Sequence, residues 1–479
     1  MTNTGEQVHI STGEGQAGMS GSGDRPSQEP RAEVVELTPE EAQFIDAWRQ
    51  YWRGGSVNEA ESAVFDDIAR KVLGEGFVRQ RLVPDASGFL AQRRVVPVYD
   101  ETSCGEIARN LPGGVLGGMI GDVLGSPVEF QTWNDIKRDC GGSGLTDYIY
   151  PHWGKGSISD DSQMMLFVLE SLIMARVRLR EADFDQRVQP RLETQIALAQ
   201  WLHTQGVEWN AVLPPDMRPE PAKRYGKLIA YPELFVQRAP DVVSMSALGA
   251  FASSTASDPG EGLSSFTFPI NDSQEAGGLA RAAMTAIWTD VPERAFKIGA
   301  TTSLITHGHP SGYLPGGVLA VLAQHLLHDQ SFDVALQAAM YQLGRWPGHE
   351  DTTRALNAAI ELGRSGQVSA EALDERFRRP RSAPGVLGVA VAAVLAYPED
   401  FAAAVCAAVN HSGNSATAGA VCGVLMGLKL GRKAIPQPWR LHMELRYEAE
   451  ELLRDVVAEF CAPQPPESQE WRERYLVSF

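Results

Sequence analysis

Ser159-Asp160-Asp161-Ser162 places two carboxylates and two hydroxyls in four consecutive residues. An apolar run at helical spacing follows at once (Met164, Met165, Phe167, Val168, Leu172). Adjacent acids at a helix start have an ordinary explanation. They accept the free N–H groups and favour the positive end of the helix dipole. They are also the oxygen donors that Mg2+ prefers. A second acidic segment, Gly121-Asp122-Val123-Leu124-Gly125-Ser126-Pro127-Val128-Glu129-Phe130, sets Asp122 inside an apolar, glycine-rich helix and Glu129 just beyond its end. A carboxylate in such a helix must be paired or face a cleft, because burying an unpaired charge is costly. A third segment, Asn410 to Gly419, carries His411, Ser412, Asn414 and Thr417. Such oxygens are the donor set of a hard-cation site.

The elements that must position these groups read as helices. From about Cys104 to Leu430, apolar residues recur at helical spacing and period-two patterns are scarce, which predicts an all-α fold. Gly114, Gly118, Gly121 and Gly125 share one helix face, and Gly419, Gly423, Gly427 and Gly431 repeat every four residues. Gly costs about 1 kcal/mol in a helix interior relative to Ala, so such stripes need a reason. Close approach of helix backbones in a tightly packed bundle is that reason. Residues 204–270 are Pro-rich and aperiodic, and are expected to form surface loops around the site mouth.

Four regions follow. Residues 1–32 are poor in large apolar side chains and are expected to be a disordered tail. Residues 33–103 are expected to form a helical appendage. Thr38 is its first N-cap, with Pro39 and Glu41 completing a helix-start signature. Residues 104–432 are the main domain, and residues 433–479 a C-terminal helix and strap. The N-terminal helices are a candidate surface for a protein partner.

A formal charge of −18 over 479 residues disfavours a phosphate backbone as partner, so nucleic acid is not expected. The five cysteines, Cys104, Cys140, Cys406, Cys422 and Cys461, show no zinc-ligand spacing, and reduced thiols are expected. No signal-like segment opens the chain and no uncharged apolar run reaches spanning length, so no membrane partner and a cytoplasmic setting are expected.

Taken in order, the segments resemble those of the ADP-ribosylglycohydrolase family. Gly-Asp-x-x-Gly-x-x-x-Glu-Phe and Asp-Asp-Ser-Gln-Met are the clearest. Asn271-Asp272-Ser273 with Gly277-Gly278 and Arg281, Thr306-His307-Gly308-His309-Pro310, and His411-Ser412-Gly413 with Gly419-Ala420 follow. The resemblance implies an all-α bundle around a Mg2+ site that removes ADP-ribose from modified side chains. It implies that Ser159, Asp160, Asp161, Asn414 and Thr417 are metal ligands, with Glu129, Asp160 and Asp161 catalytic. Asp122, Asn271, Ser273, Gly277, Gly278, His307, His309 and Gly413 would contact substrate: ADP-ribose, an ADP-ribosylated protein or a related ribosyl compound. The chain departs from the family where its last segment has two Asp ligands. Asn414 and Ala416 stand there, which predicts that a second cation binds weakly or not at all. Glu275 adds a negative charge where a diphosphate is expected. Two alternatives follow from these departures: a non-catalytic member that binds a nucleotide or a protein, and an enzyme redirected to a smaller ribosyl compound.

Overall fold

The structure, a computed structural model, describes residues 8–10, 33–35, 99–149, 154, 156–180, 190–218, 224–254, 264–378, 380–462 and 464–476. The chain divides into two compact units, Met1–Val95 and Val96–Phe479. In the first, strand β1 (Val8–Ile10) pairs antiparallel with β2 (Glu33–Val35). The appendage expected over 33–103 lies outside the described residues from 36 to 98, its helix start at Thr38 included.

The second unit is all-α, as expected. Its helices are α1 (Glu101–Gly125), α2 (Trp133–Cys140), α3 (Asp160–Arg180), α4 (Arg191–Thr204), α5 (Val242–Ser253), α6 (Pro292–Leu304), α7 (Pro310–Leu327), α8 (Phe332–Leu343), α9 (Glu350–Ser365), α10 (Ala370–Phe377), α11 (Ala383–Ala396), α12 (Phe401–Val409), α13 (Ser415–Leu430), α14 (Gln437–Leu441), α15 (Arg446–Cys461) and α16 (Gln469–Tyr475). The 3-10 helix Ala280–Trp288 runs for nine residues, well beyond the usual three or four. No described helix is long and apolar enough to cross a membrane. All five cysteines are free thiols.

The central contact is between α1 and α13, which run antiparallel with backbone against backbone. A Cβ at Gly113, Gly117 or Gly121 would lie 2.2, 2.3 or 1.9 Å from the carbonyl oxygen of Gly427, Gly423 or Gly419. At Gly125 the same atom would meet the Ser415 oxygen at 2.1 Å. The glycine stripe is therefore real, and it differs from the sequence reading at two α1 positions, where Gly113 and Gly117 make the contact. Gly114 and Gly118 face the side chains of Leu428, and of Met165 and Val424, one position off the backbone contact.

Two other readings change. The stretch 204–270 contains α5, capped by Asp241, as well as short 3-10 turns. Its Val-Val-Ser-Met-Ser start has no clean apolar periodicity, which hid the helix. The C-terminal helix starts at Arg446 instead of near Arg440, after Leu445 adopts a left-handed conformation at φ +54°. This helix packs on α1 and α3, so residues beyond 432 join the bundle.

The α1–α13 contact generates a test. Gly121→Ala should cost about 3 kcal/mol, because a methyl group cannot fit against a backbone carbonyl without separating the helices. Gly105→Ala, at an exposed α1 position with open space around it, should be neutral or stabilising by about 0.5–1 kcal/mol. Urea unfolding of the two variants reads the difference, and equal stabilities would remove close packing as the reason for the stripe.

Candidate active site

Asp122 is fully buried in the last turns of α1. The Ser159 N–H donates to it at 2.9 Å and the Ser159 hydroxyl at 2.6 Å, and the Ser162 hydroxyl also donates. These donors lock the start of α3 against α1. Burial still raises the Asp122 pKa, although every one of these hydrogen bonds opposes the shift.

That lock aims the next two residues. Asp161 accepts the Thr417 hydroxyl at 2.7 Å, which joins the start of α3 to the start of α13. Asp160 Oδ2 accepts the Asp241 N–H at 2.9 Å. Among the described residues, this leaves the second oxygen of each carboxylate for a ligand. Burial, then the Asp161 charge, holds Asp160 well above the usual carboxylate range. Burial, then the Asp122 charge, pushes Asp161 up to about 7.

Half-buried Glu129 completes the group. Burial, then the charges of Asp161, Asp122 and Asp241, push it up to about 8. Arg381 opposes that shift and lies 4.5 Å over the exposed Phe130 ring. Phe130 has a left-handed backbone at φ +60°, rare for a bulky residue, and its N–H donates to Gly413 O at 2.8 Å. Gly413 is needed because a Cβ there would lie 2.5 Å from Pro380 O.

Asp122, Glu129, Ser159, Asp160, Asp161, Asn414 and Thr417 are thus brought into one place, but not in one role. Asn414 is the N-cap of α13, its side-chain oxygen accepting the Thr417 N–H at 2.9 Å. Ser159 is occupied by Asp122 and by the Asp161 N–H.

The remaining residues serve nearby loops. Asn271 clamps two of them: its NH2 donates to Thr306 O, and its oxygen accepts from Ser273 N–H and Gly308 N–H. The Ser273 hydroxyl accepts the Glu275 N–H at 3.3 Å. His309 caps α7 through Nδ1. His307 is fully buried, and burial lowers its pKa to about 4. A Cβ at Gly277 would press on Asp241 and one at Gly278 on His307, at 2.6 and 3.0 Å, so both glycines are required by packing.

Sequence reasoning did not single out Asp241 or Arg381, and it noted Arg281 only as part of a pattern. Arg281 is fully buried, and burial lowers its pKa to about 10, against the pull of Asp241, Asp161 and Asp160. An Asp ahead of a helix is a cap signal that could have found Asp241. An Arg in an apolar 3-10 segment could have marked Arg281.

The donor set fits one hard divalent cation. It is all oxygen, and burial first, then neighbouring carboxylates, raise Glu129, Asp160 and Asp161. Among the described residues, no three His, Cys, Asp or Glu side chains are grouped to hold a metal by themselves. Hydroxyl and water oxygens would complete the shell, as Mg2+ tolerates. At the start of α13 Ala416 offers no side-chain oxygen, and the Asn414 side-chain oxygen accepts the Thr417 N–H as a helix cap.

Fold and site together define an all-α protein with a carboxylate-lined centre between helix starts. The ADP-ribosylglycohydrolase family model matches residues 106–466, and the chain belongs to that family. A solved structure titled "ADP-ribosylglycohydrolase-related protein complex" shares the fold. Its TM-score is 0.51 and its identity 21%, over 74% of this chain and 98% of that one. No curated protein matches.

The raised carboxylates generate a second test. A folded-state acid with a raised pKa binds more protons than the unfolded chain does between the two values. Stability is therefore full below the ordinary values of 3.8 and 4.5 and is lost as pH rises through about 7 for Asp161 and about 8 for Glu129. In chelator, the melting temperature should fall by about 5 °C from about pH 5 to about pH 8. Added Mg2+ should recover most of the loss at the higher pH. A flat profile in chelator would mean that the acids are already compensated.

Proposed function

We propose that the chain hydrolyses the ribosyl bond between ADP-ribose, or a related N-ribosyl group, and an acceptor, with one divalent cation. The observation that supports this best is the convergence of Asp122, Glu129, Asp160 and Asp161 with the Thr417 hydroxyl at the starts of α3 and α13. A cation held by Asp160, Asp161 and Thr417 would polarise ribose hydroxyls and lower the pKa of a bound water.

The chain's own residues supply the rest. Asp122 holds the Ser159–Ser162 turn rigid, so Asp160 and Asp161 keep their aim. Glu129 sits at the mouth with a pKa near working pH, which suits a group that both donates and accepts a proton. Arg381 moderates the charge on Glu129. The buried wall of α1 and α13 keeps water from the back of the site.

Two variants test this on ADP-ribosylated protein and on small ribosyl compounds. Glu129→Gln should lower kcat by about 10^2-fold or more with little change in ADP-ribose affinity, since proton management acts in the transition state. Chelator should abolish turnover by wild type. Binding of ADP-ribose without any turnover, in Mg2+ and across the substrate panel, would instead identify a non-catalytic member of the family.

A further inference from the structure

One carboxylate of the site comes from a segment outside every family-like pattern. Asp241 opens α5, and its side chain accepts the Val243 N–H at 3.2 Å and the Ser244 N–H at 2.9 Å. That alone is a helix cap. Two observations go beyond it. Its N–H anchors Asp160, and its charge acts on Glu129, Asp160 and Asp161 together. And His307, fully buried, turns Nε2 toward Asp241 Oδ2 at 3.5 Å, short of a hydrogen bond, and among the described residues that nitrogen has no hydrogen-bond partner.

A chain of donors from Arg281 leads to His307. A guanidinium only donates, so the Thr306 hydroxyl oxygen accepts from Arg281. The Thr306 proton is then free for His307 Nδ1, 2.7 Å away. With Nδ1 accepting that proton, the neutral imidazole would carry its own on Nε2, on the side of Asp241. Arg281 is itself pinned by Gly277 O, Thr302 O and Met164 Sδ. We propose that Asp241 is a functional carboxylate of the ribosyl site, positioned by the relay Arg281–Thr306–His307. In this role it supplies negative charge that Asn414 and Ala416 do not. Its relation to a cation rests on the proposed function; its place in the charge cluster does not.

The test separates charge from capping. Asn caps a helix about as well as Asp, so Asp241→Asn removes the charge and keeps the cap, whereas Asp241→Ala removes both. With Mg2+ alone titrated into the full chain by calorimetry, Asp241→Asn should weaken binding about tenfold and Thr306→Val less. Unchanged affinity in Asp241→Asn overturns the proposal. A second measurement needs no metal. In chelator at about pH 8, Asp241→Asn should melt higher than wild type, because one like charge leaves an uncompensated cluster, and Asp241→Ala should melt lower than Asp241→Asn. If wild type binds no Mg2+, the cation reading fails and this second comparison decides. An unchanged or lower melting temperature for Asp241→Asn reduces Asp241 to a cap. Nitrogen-15 NMR of the ring reads the relay directly. An Nε2–H tautomer in wild type that becomes mixed in Thr306→Val supports it, and an Nδ1–H tautomer in wild type overturns it.

Discussion

The backbone contact between α1 and α13 is the constraint on which the site depends. Two helices can approach this closely only where neither carries a Cβ, and Gly113, Gly117 and Gly121 meet Gly427, Gly423 and Gly419 in that way. The contact fixes the antiparallel register of the pair. It thereby places the end of α1, with Asp122, beside the start of α13, with Thr417. The hydrogen bonds from Ser159 and Ser162 to Asp122 then bring in α3. Three helix termini are joined by one buried carboxylate and one close crossing.

Joining them this way concentrates like charge. Asp122, Glu129, Asp160 and Asp161 are all shifted upward, with burial the largest cause in each case. Arg281 below and Arg381 at the rim offset part of that charge. Family members with two further Asp residues in the last segment would concentrate still more. Asn414 and Ala416 remove two charges here. The same change gives Asn414 a purely local task at the start of α13.

Much of this was legible from residue order. The all-α fold follows from helical periodicity and the glycine stripes. Asp122 stands out as a carboxylate in an apolar, glycine-rich helix, whereas the acids at 129, 160 and 161 are picked out by the ordered segments that resemble the family. Roles were less legible than residues. Asn271, Ser273 and His309 are recognisable as polar groups in ordered segments, yet the structure spends them on loop clamps and a helix cap. His307, expected to contact substrate, is fully buried. Asp241 was missed because its helix begins Val-Val-Ser, without the amphipathic period that marks α9. Gly121, Gly125, Gly419, Gly423 and Gly427 make the close contact expected of them, while Gly113 and Gly117 take the places expected for Gly114 and Gly118, because adjacent glycines are indistinguishable until the partner helix is in place.

The most direct measurement is calorimetric titration of ADP-ribose into the purified chain, once with Mg2+ and once with chelator. A cation-dependent ribosyl site predicts binding at least about tenfold tighter with Mg2+ than without. Equal affinity in the two buffers, or none in either, would contradict a magnesium-assisted ribosyl site at the starts of α3 and α13.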